Sequence, residues 1–244
     1  LSASVPAFAF SDSSIASSVF EENQMAVEQA AAAGNGADLS QSPYVLKRLG
    51  LVAGNDKGDL MLDKVGTRAE ALTLFISMQG EQDEARAVDY SYPFTDIPDW
   101  FHWCAGYGVF RSYTSGISAT KFGSFDTVTP EQYMTFTLKA LDYKCGEDFT
   151  WDRSLDKAIE VGLCTRAQAD AWKNGQFRRQ EIMEISYLAL NTKVKGSNST
   201  LTDKLIAKGK ITTEQARQES LTFGTAYQAQ QEQNNASPIT CTNV

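Results

Sequence analysis

Thr67-Arg68-Ala69-Glu70-Ala71-Leu72-Thr73-Leu74 recurs in outline twice more, as Thr129-Pro130-Glu131-Gln132-Tyr133-Met134-Thr135-Phe136 and as Arg178-Arg179-Gln180-Glu181-Ile182-Met183-Glu184-Ile185. Glu70, Gln132 and Glu181 share one position of the pattern, and the positions one, two, four and six further on are apolar or aromatic in all three copies. The physical content is a capped helix. Thr67 and Thr129 can accept from a free backbone N–H of the first turn, while the Glu or Gln three residues on reaches back to the cap. Pro130 suits that first turn, where its missing N–H costs nothing. The third copy has no hydroxyl cap, so its start is the weakest.

Upstream of each copy stands a glycine followed by two apolar residues: Gly50-Leu51-Val52, Gly108-Val109-Phe110 and Gly162-Leu163-Cys164. Each glycine is expected to close a preceding helix in the left-handed conformation. Those helices carry apolar residues at helical spacing, as at Tyr44, Leu46 and Leu49, or Leu155, Ala158 and Ile159. The unit is therefore a helix, a Gly stop, an irregular loop and a capped helix. Such a unit cannot bury its apolar stripe alone, so three are expected to pack around a shared core.

The run Leu46-Lys47-Arg48-Leu49-Gly50-Leu51-Val52-Ala53-Gly54, with Leu62-Asp63-Lys64 and Thr67-Arg68-Ala69-Glu70, resembles an S-layer homology (SLH) repeat. A second resembling stretch is Phe94-Thr95-Asp96-Ile97-Pro98 with Gly116-Ile117-Ser118-Ala119-Thr120-Lys121-Phe122 and Val128-Thr129. A third, more diverged, runs over residues 148–190. The resemblance implies a mostly α fold, in which three tandem helix-loop-helix repeats form a pseudo-threefold helical domain with extra N- and C-terminal helices. It also implies attachment of a bacterial surface protein to an anionic, often pyruvylated, secondary cell-wall polysaccharide held in grooves between repeats. Carried over by motif, the anion contact falls to Arg68 and Arg179, with Glu70 and Glu181 beside them. Pro130 takes that position in the second copy, so its groove should be weak or dead. The Asp and Trp that open a family repeat map onto Asp96 and either Trp100 or Trp103.

An independent argument points the same way. A cation in the first turn opposes the helix dipole, and an anion bound by Arg68 or Arg179 together with free N–H groups would relieve the conflict. The competing reading is a salt bridge to Asp63 or a nearby Glu, with the arginine stem laid over apolar surface.

The expected organisation is a leader remnant or flexible start over 1–19, a three-repeat domain over 20–195 with repeats at about 20–80, 92–143 and 147–193, and a C-terminal extension over 196–244. Leu1 to Ala9 reads as the end of a secretory signal with Ala7 and Ala9 at an A-x-A cleavage site. No stretch approaches the ~18 apolar residues of a membrane helix, so export without a membrane span is expected. Residues 20–33 read as an Ala-rich helix, 201–207 as another, and Thr212-Thr213-Glu214-Gln215 as the cap of a last one reaching about Phe223. The Gln- and Asn-rich chain from Tyr227 is too poor in apolar residues to fold alone.

Twenty-two basic against thirty acidic residues give a net charge of −8, which argues against nucleic acid. An anionic polymer would have to be met by local basic spots. Cys104, Cys145, Cys164 and Cys241 have no C-x-x-C spacing; Cys104 and Cys164, among apolar neighbours, read as buried thiols, and Cys241 as an exposed or intermolecular one. His102 is the single histidine, which removes His-based triads and multi-His metal sites. Asn55-Asp56-Lys57-Gly58-Asp59 lacks the ligand spacing of a calcium loop and reads as a polar turn. Glu81 to Glu84 reads as a solvated linker. No catalytic residue, metal or cofactor is expected. The leading expectation is a non-enzymatic wall-binding module. The alternatives are a subunit that self-assembles with other copies of itself into a surface layer or filament, and the anchor of a larger enzyme.

Overall fold

The computed structural model describes residues 39–222. The leader, the helix expected at 20–33, Cys241 and the polar tail lie outside the described residues. Within them the chain is helical, with ten α-helices and only isolated β-bridges. They are α1 (Ser42–Arg48), α2 (Arg68–Met78), α3 (Gln82–Ala87), α4 (His102–Phe110), α5 (Pro130–Ala140), α6 (Ser154–Glu160), α7 (Arg166–Asn174), α8 (Arg179–Leu190), α9 (Leu201–Ala207) and α10 (Thr213–Gln218).

The caps explain where the helices begin. Thr67 Oγ1 accepts the Glu70 N–H at 3.3 Å, and Glu70 Oε2 accepts the Thr67 N–H at 3.0 Å. Thr129 and Gln132 repeat this reciprocal pair at α5, Thr165 and Gln168 at α7, Thr200 and Asp203 at α9, and Thr212 and Gln215 at α10. At α8 a guanidinium has no acceptor to offer, so only half the box forms: Glu181 takes the Arg178 N–H at 2.8 Å.

The helix stops are equally regular, with one departure from expectation. Gly50 and Gly162 have φ of 74° and 75°, and the residues after them, Leu51 and Leu163, donate back to the carbonyls of Leu46 and Ala158 at 2.9 Å. Gly108, by contrast, lies inside α4. The matching stop is Ser112 at φ 57°, with Tyr113 donating to the Gly108 carbonyl at 2.8 Å. Gly108 has a packing reason instead, since a Cβ there would sit 2.9 Å from Leu72 Cδ2.

The apolar faces of α2, α5 and α8 supply the centre of the core, where Leu72, Phe75, Ile76, Met134, Leu138 and Ile185 are buried. α2 packs on α4 and α5, α5 on α6 and α8, and α8 on α1. Two helix starts dock on distant segments in the same way. Arg68 and Ala69 donate their N–H groups to the carbonyls of Asp126 (2.9 Å) and Ser124 (3.2 Å), and Arg179 and Gln180 donate theirs to Lys64 (2.8 Å) and Leu62 (3.2 Å). When Thr67 is set on Thr129, Lys64 and Leu62 fall on Asp126 and Ser124. Pro130 has no N–H for such a bond. The α5 start is met differently, by Ser154 Oγ donating to the Glu131 carbonyl at 3.0 Å.

Three further details differ from the sequence expectation. The segment before α8 holds a helix, α7, rather than an irregular loop. The last helix stops at Gln218. The stretch read as a solvated linker contains α3 and a buried carboxylate, Glu81, which accepts from Tyr113 Oη (2.7 Å), Arg111 Nη2 (3.1 Å) and Tyr107 Oη (3.2 Å). Burial and that carboxylate push both tyrosine pKa values up.

The C-terminal segment is a partial copy of an earlier one. Asp156, Lys157, Ile159, Gly162, Thr165, Gln168 and Ala169 recur in the same order and spacing as Asp203, Lys204, Ile206, Gly209, Thr212, Gln215 and Ala216, and Gly209 takes φ 67°. Its helix α9 packs on α8. It also lays Lys204 against the Ala140 carbonyl (3.3 Å) and Lys208 against the Gln79 carbonyl (2.6 Å). These cations sit at the C-terminal ends of α5 and α2, where the helix dipole favours them.

Candidate functional groove

A groove of ≈ 840 Å³ opens where the segment after α1 faces α2, α3, α8 and the aromatic turn before α4. One wall is the turn from Gly50 to Asp56; the floor carries Glu70, Thr73 and Leu74 of α2 with Arg179, Ile182 and Met183 of α8; the other wall carries Arg86, Trp100, Trp103 and Phe125. The volume is in the range of small-ligand sites.

The floor is electrically paired. Arg179 is buried; its Nε donates to the Leu60 carbonyl at 2.7 Å and its Nη1 to the Glu70 carboxylate. Glu70 thus bonds Arg179 with one oxygen and caps α2 with the other. The aromatic wall is ordered by a chain of contacts. The Arg86 guanidinium lies 3.9 Å above the Trp103 ring, and Trp103 Nε1–H donates to the Trp100 carbonyl at 3.0 Å. Trp100 is 50% exposed and Phe125 71%, large apolar surfaces left to solvent at the groove.

The expected site residues divide into two sets. Glu70, Arg179, Trp100 and Trp103 line the groove. Arg68, Asp96 and Glu181 are outside its lining. Arg68 Nε donates to the Phe122 carbonyl at 3.2 Å with its guanidinium 5.1 Å from the Phe122 ring; partial burial lowers its pKa against the pull of Asp126 and Asp96. Asp96 accepts the N–H groups of Phe122 (2.9 Å) and Gly123 (2.8 Å). Desolvation raises its pKa, but those two donors together with its own backbone N–H and the nearby Lys121 charge outweigh it and hold the carboxyl below its ordinary value. Asp63, named above as a salt-bridge partner, lies 3.9 Å from Arg178.

Arg86 and Phe125 are groove residues the sequence reading did not single out. Arg86 follows an acidic run, Glu81-Gln82-Asp83-Glu84, that reads as solvated linker. Phe125 sits in a loop between motifs. His102 is exposed beside the groove wall and bonds Tyr92 Oη through Nδ1. Cys104 and Cys164 are buried free thiols whose pKa burial pushes up to about 12; Cys145 is exposed. Among the described residues no three His, Cys, Asp or Glu side chains are grouped to hold a metal ion, and no helix is long and apolar enough to cross a membrane.

No protein-family model matches the chain. Over 130 residues, 52% of its length, it is 31% identical to the Middle cell wall protein of Brevibacillus brevis (strain 47 / JCM 6285 / NBRC 100599). Over a stretch of the same length it is 28% identical to the Surface layer protein of Brevibacillus choshinensis. The chain spans 12% of the length of each of these relatives. Both carry the names of wall or surface-layer proteins rather than of enzymes. The chain is thus similar to proteins of the bacterial cell wall and surface layer.

Proposed function

We propose that this chain is a non-catalytic module of the bacterial cell surface that holds an anionic secondary cell-wall polysaccharide in the groove between α2, α3, α8 and the Trp100–Trp103 turn. The scaffold we infer is an SLH-like array of three repeats about a pseudo-threefold axis. The cyclic packing supports it: α2 meets the helix that opens the next unit, α4; α5 meets α6; and α8 returns to α1. The observation that carries the function is the groove itself, in which a half-exposed indole, Trp100, and a partly buried one, Trp103, line the same groove as two arginines. An indole offers an apolar face to a sugar ring, and the exposed guanidinium of Arg86 offers donors to its acidic groups, while Arg179 is held by Glu70 and the Leu60 carbonyl. In this reading Arg68, Asp96 and Glu181 hold the segments that shape the walls.

Co-sedimentation with isolated cell walls tests it. The chain should pellet with intact walls and stay in solution with walls stripped of secondary polysaccharide by hydrofluoric acid. Trp100→Ala with Trp103→Ala should abolish pelleting while the far-ultraviolet circular dichroism is kept. Pelleting that ignores both treatments would defeat the proposal.

A second reading is self-assembly into a surface layer or filament. It is favoured by the surface-layer relative and by exposed Phe110 and Trp151, 60% and 59% accessible, away from the groove. Ordered arrays in electron micrographs of purified protein without added polymer would support it; monodisperse particles would oppose it.

A further inference from the structure

α3 is six residues long, too short to hold its shape unaided in water. Its position therefore follows from what grips it. Its far end reaches the groove, where the Arg86 guanidinium lies 3.9 Å above the Trp103 ring, and its body packs on α4 through the buried Ala85. Its near end is the bend out of α2, residues 79–83, in which Gly80 turns the chain at φ 67°.

That bend is gripped by the C-terminal partial copy. Lys208 Nζ donates to the Gln79 carbonyl at 2.6 Å and stands 3.5 Å from Glu81 Oε1. Lys210 Nζ donates to Asp83 Oδ2 at 2.6 Å, and Lys204 Nζ reaches Gln79 Oε1 at 3.4 Å. The side chains also close over the glycine: a Cβ built there would lie 2.9 Å from Lys210 Cγ, 3.1 Å from Leu205 Cδ2 and 3.2 Å from Lys208 Cδ. An exposed pair such as Lys210 with Asp83 is worth little alone. Here it is joined by a cation on a helix C-terminal carbonyl and by packed lysine stems, all acting on one short bend.

We propose that the C-terminal partial copy is a clasp for the groove wall. Lys208 and Lys210 hold the bend so that α3 carries Arg86 onto Trp103, and unseating of residues 201–222 lets α3 and that wall shift. No residue of this segment lines the groove, so the two lysines are positioning residues that act through α3. The seating of the C-terminal segment is thereby linked to the shape of a groove it does not touch.

The test is heteronuclear NMR of the full chain, reading the indole N–H signals of its four tryptophans, assigned by single Trp→Phe substitutions, together with amide hydrogen exchange. Lys208→Met with Lys210→Met should move the Trp103 signal in the direction that Arg86→Ala moves it and raise exchange over α3 about tenfold. The Trp151 and Trp172 signals should stay in place. Asp83→Lys alone should reproduce part of the change, and adding Lys210→Asp, which restores the pair with its charges exchanged, should reverse it. An unmoved Trp103 signal with unchanged α3 exchange in the double lysine variant would overturn the clasp, as would a charge swap that restores neither. Movement of all four signals with lost protection in α2, α5 and α8 would overturn it too, because the lysines would then support the core as a whole. Neither readout involves a bound ligand, so the clasp stands or falls apart from wall attachment.

Discussion

The arginine after the cap in two of the motif copies does the same job twice. Arg68 and Arg179 each direct Nε to a carbonyl on a distant loop, Phe122 in one case and Leu60 in the other, and the two carbonyls are equivalent when the copies are aligned. A guanidinium carries several donors, so one can fasten a loop while others face elsewhere. The sequence showed a cation in an unfavourable place on the helix but gave no sign of these partners, because both lie more than fifty positions away. Asp96 is the complementary case, a carboxylate closing on two backbone N–H groups within its own unit. Replacing it with Ala leaves both donors unmet in a mostly buried turn, and chemical denaturation should show a loss of about 2 kcal/mol. Its pH signature has a definite sign. The folded carboxyl has a pKa below the ordinary 3.8, so its contribution is full above that value and is lost as pH falls through the folded one. In Asp96→Asn the stability profile should be flatter than the parent's below about pH 4 and should run parallel to it from pH 5 to 7.

At the level of the helix the ends were the readable part. Cap and box residues identify themselves by type and spacing, and the boxes expected at Thr67 and Thr129 are both present. The stops were less readable, because a glycine that ends a helix and a glycine that makes room inside one look alike in sequence. Gly108 is the second kind, and the true stop is a serine. This yields a paired prediction. Ser112→Gly removes the left-handed penalty of a side chain and should stabilise by about 0.5–1 kcal/mol. Gly50→Ala introduces that penalty where nothing lies within 4 Å of the new Cβ, and should destabilise by about 1 kcal/mol. Thermal melts of the two variants, shifting in opposite directions, would check both. Arg86 escaped the sequence reading for a reason of the same kind. The run before it is acidic and polar, but one of its acids, Glu81, is buried among tyrosines and cations, so the stretch folds as a short helix that delivers Arg86 to the groove.

Across the described residues, what the sequence could not convey was how the C-terminal segments meet the earlier helices. The partial copy at the C-terminal end puts Lys204 and Lys208 over the ends of α5 and α2, and Glu219 takes both Arg48 Nε and Nη2, at 2.5 and 2.6 Å. Each contact joins residues more than sixty positions apart. The return of α8 onto α1 has a consequence for the order of the chain itself. The Leu39–Gln41 turn packs on α8, and the Thr222 N–H donates to Asn191 just past the same helix at 2.7 Å, so both ends of the described chain are moored to one element. Connectivity and architecture are then separable. A circular permutant of residues 39–222, its old ends bridged by a short Gly-Ser linker and new ones opened in the exposed turn at Ser118–Thr120, should fold with a single cooperative transition and keep the groove. The order in which these helices follow one another would be a matter of connectivity rather than a requirement of their packing.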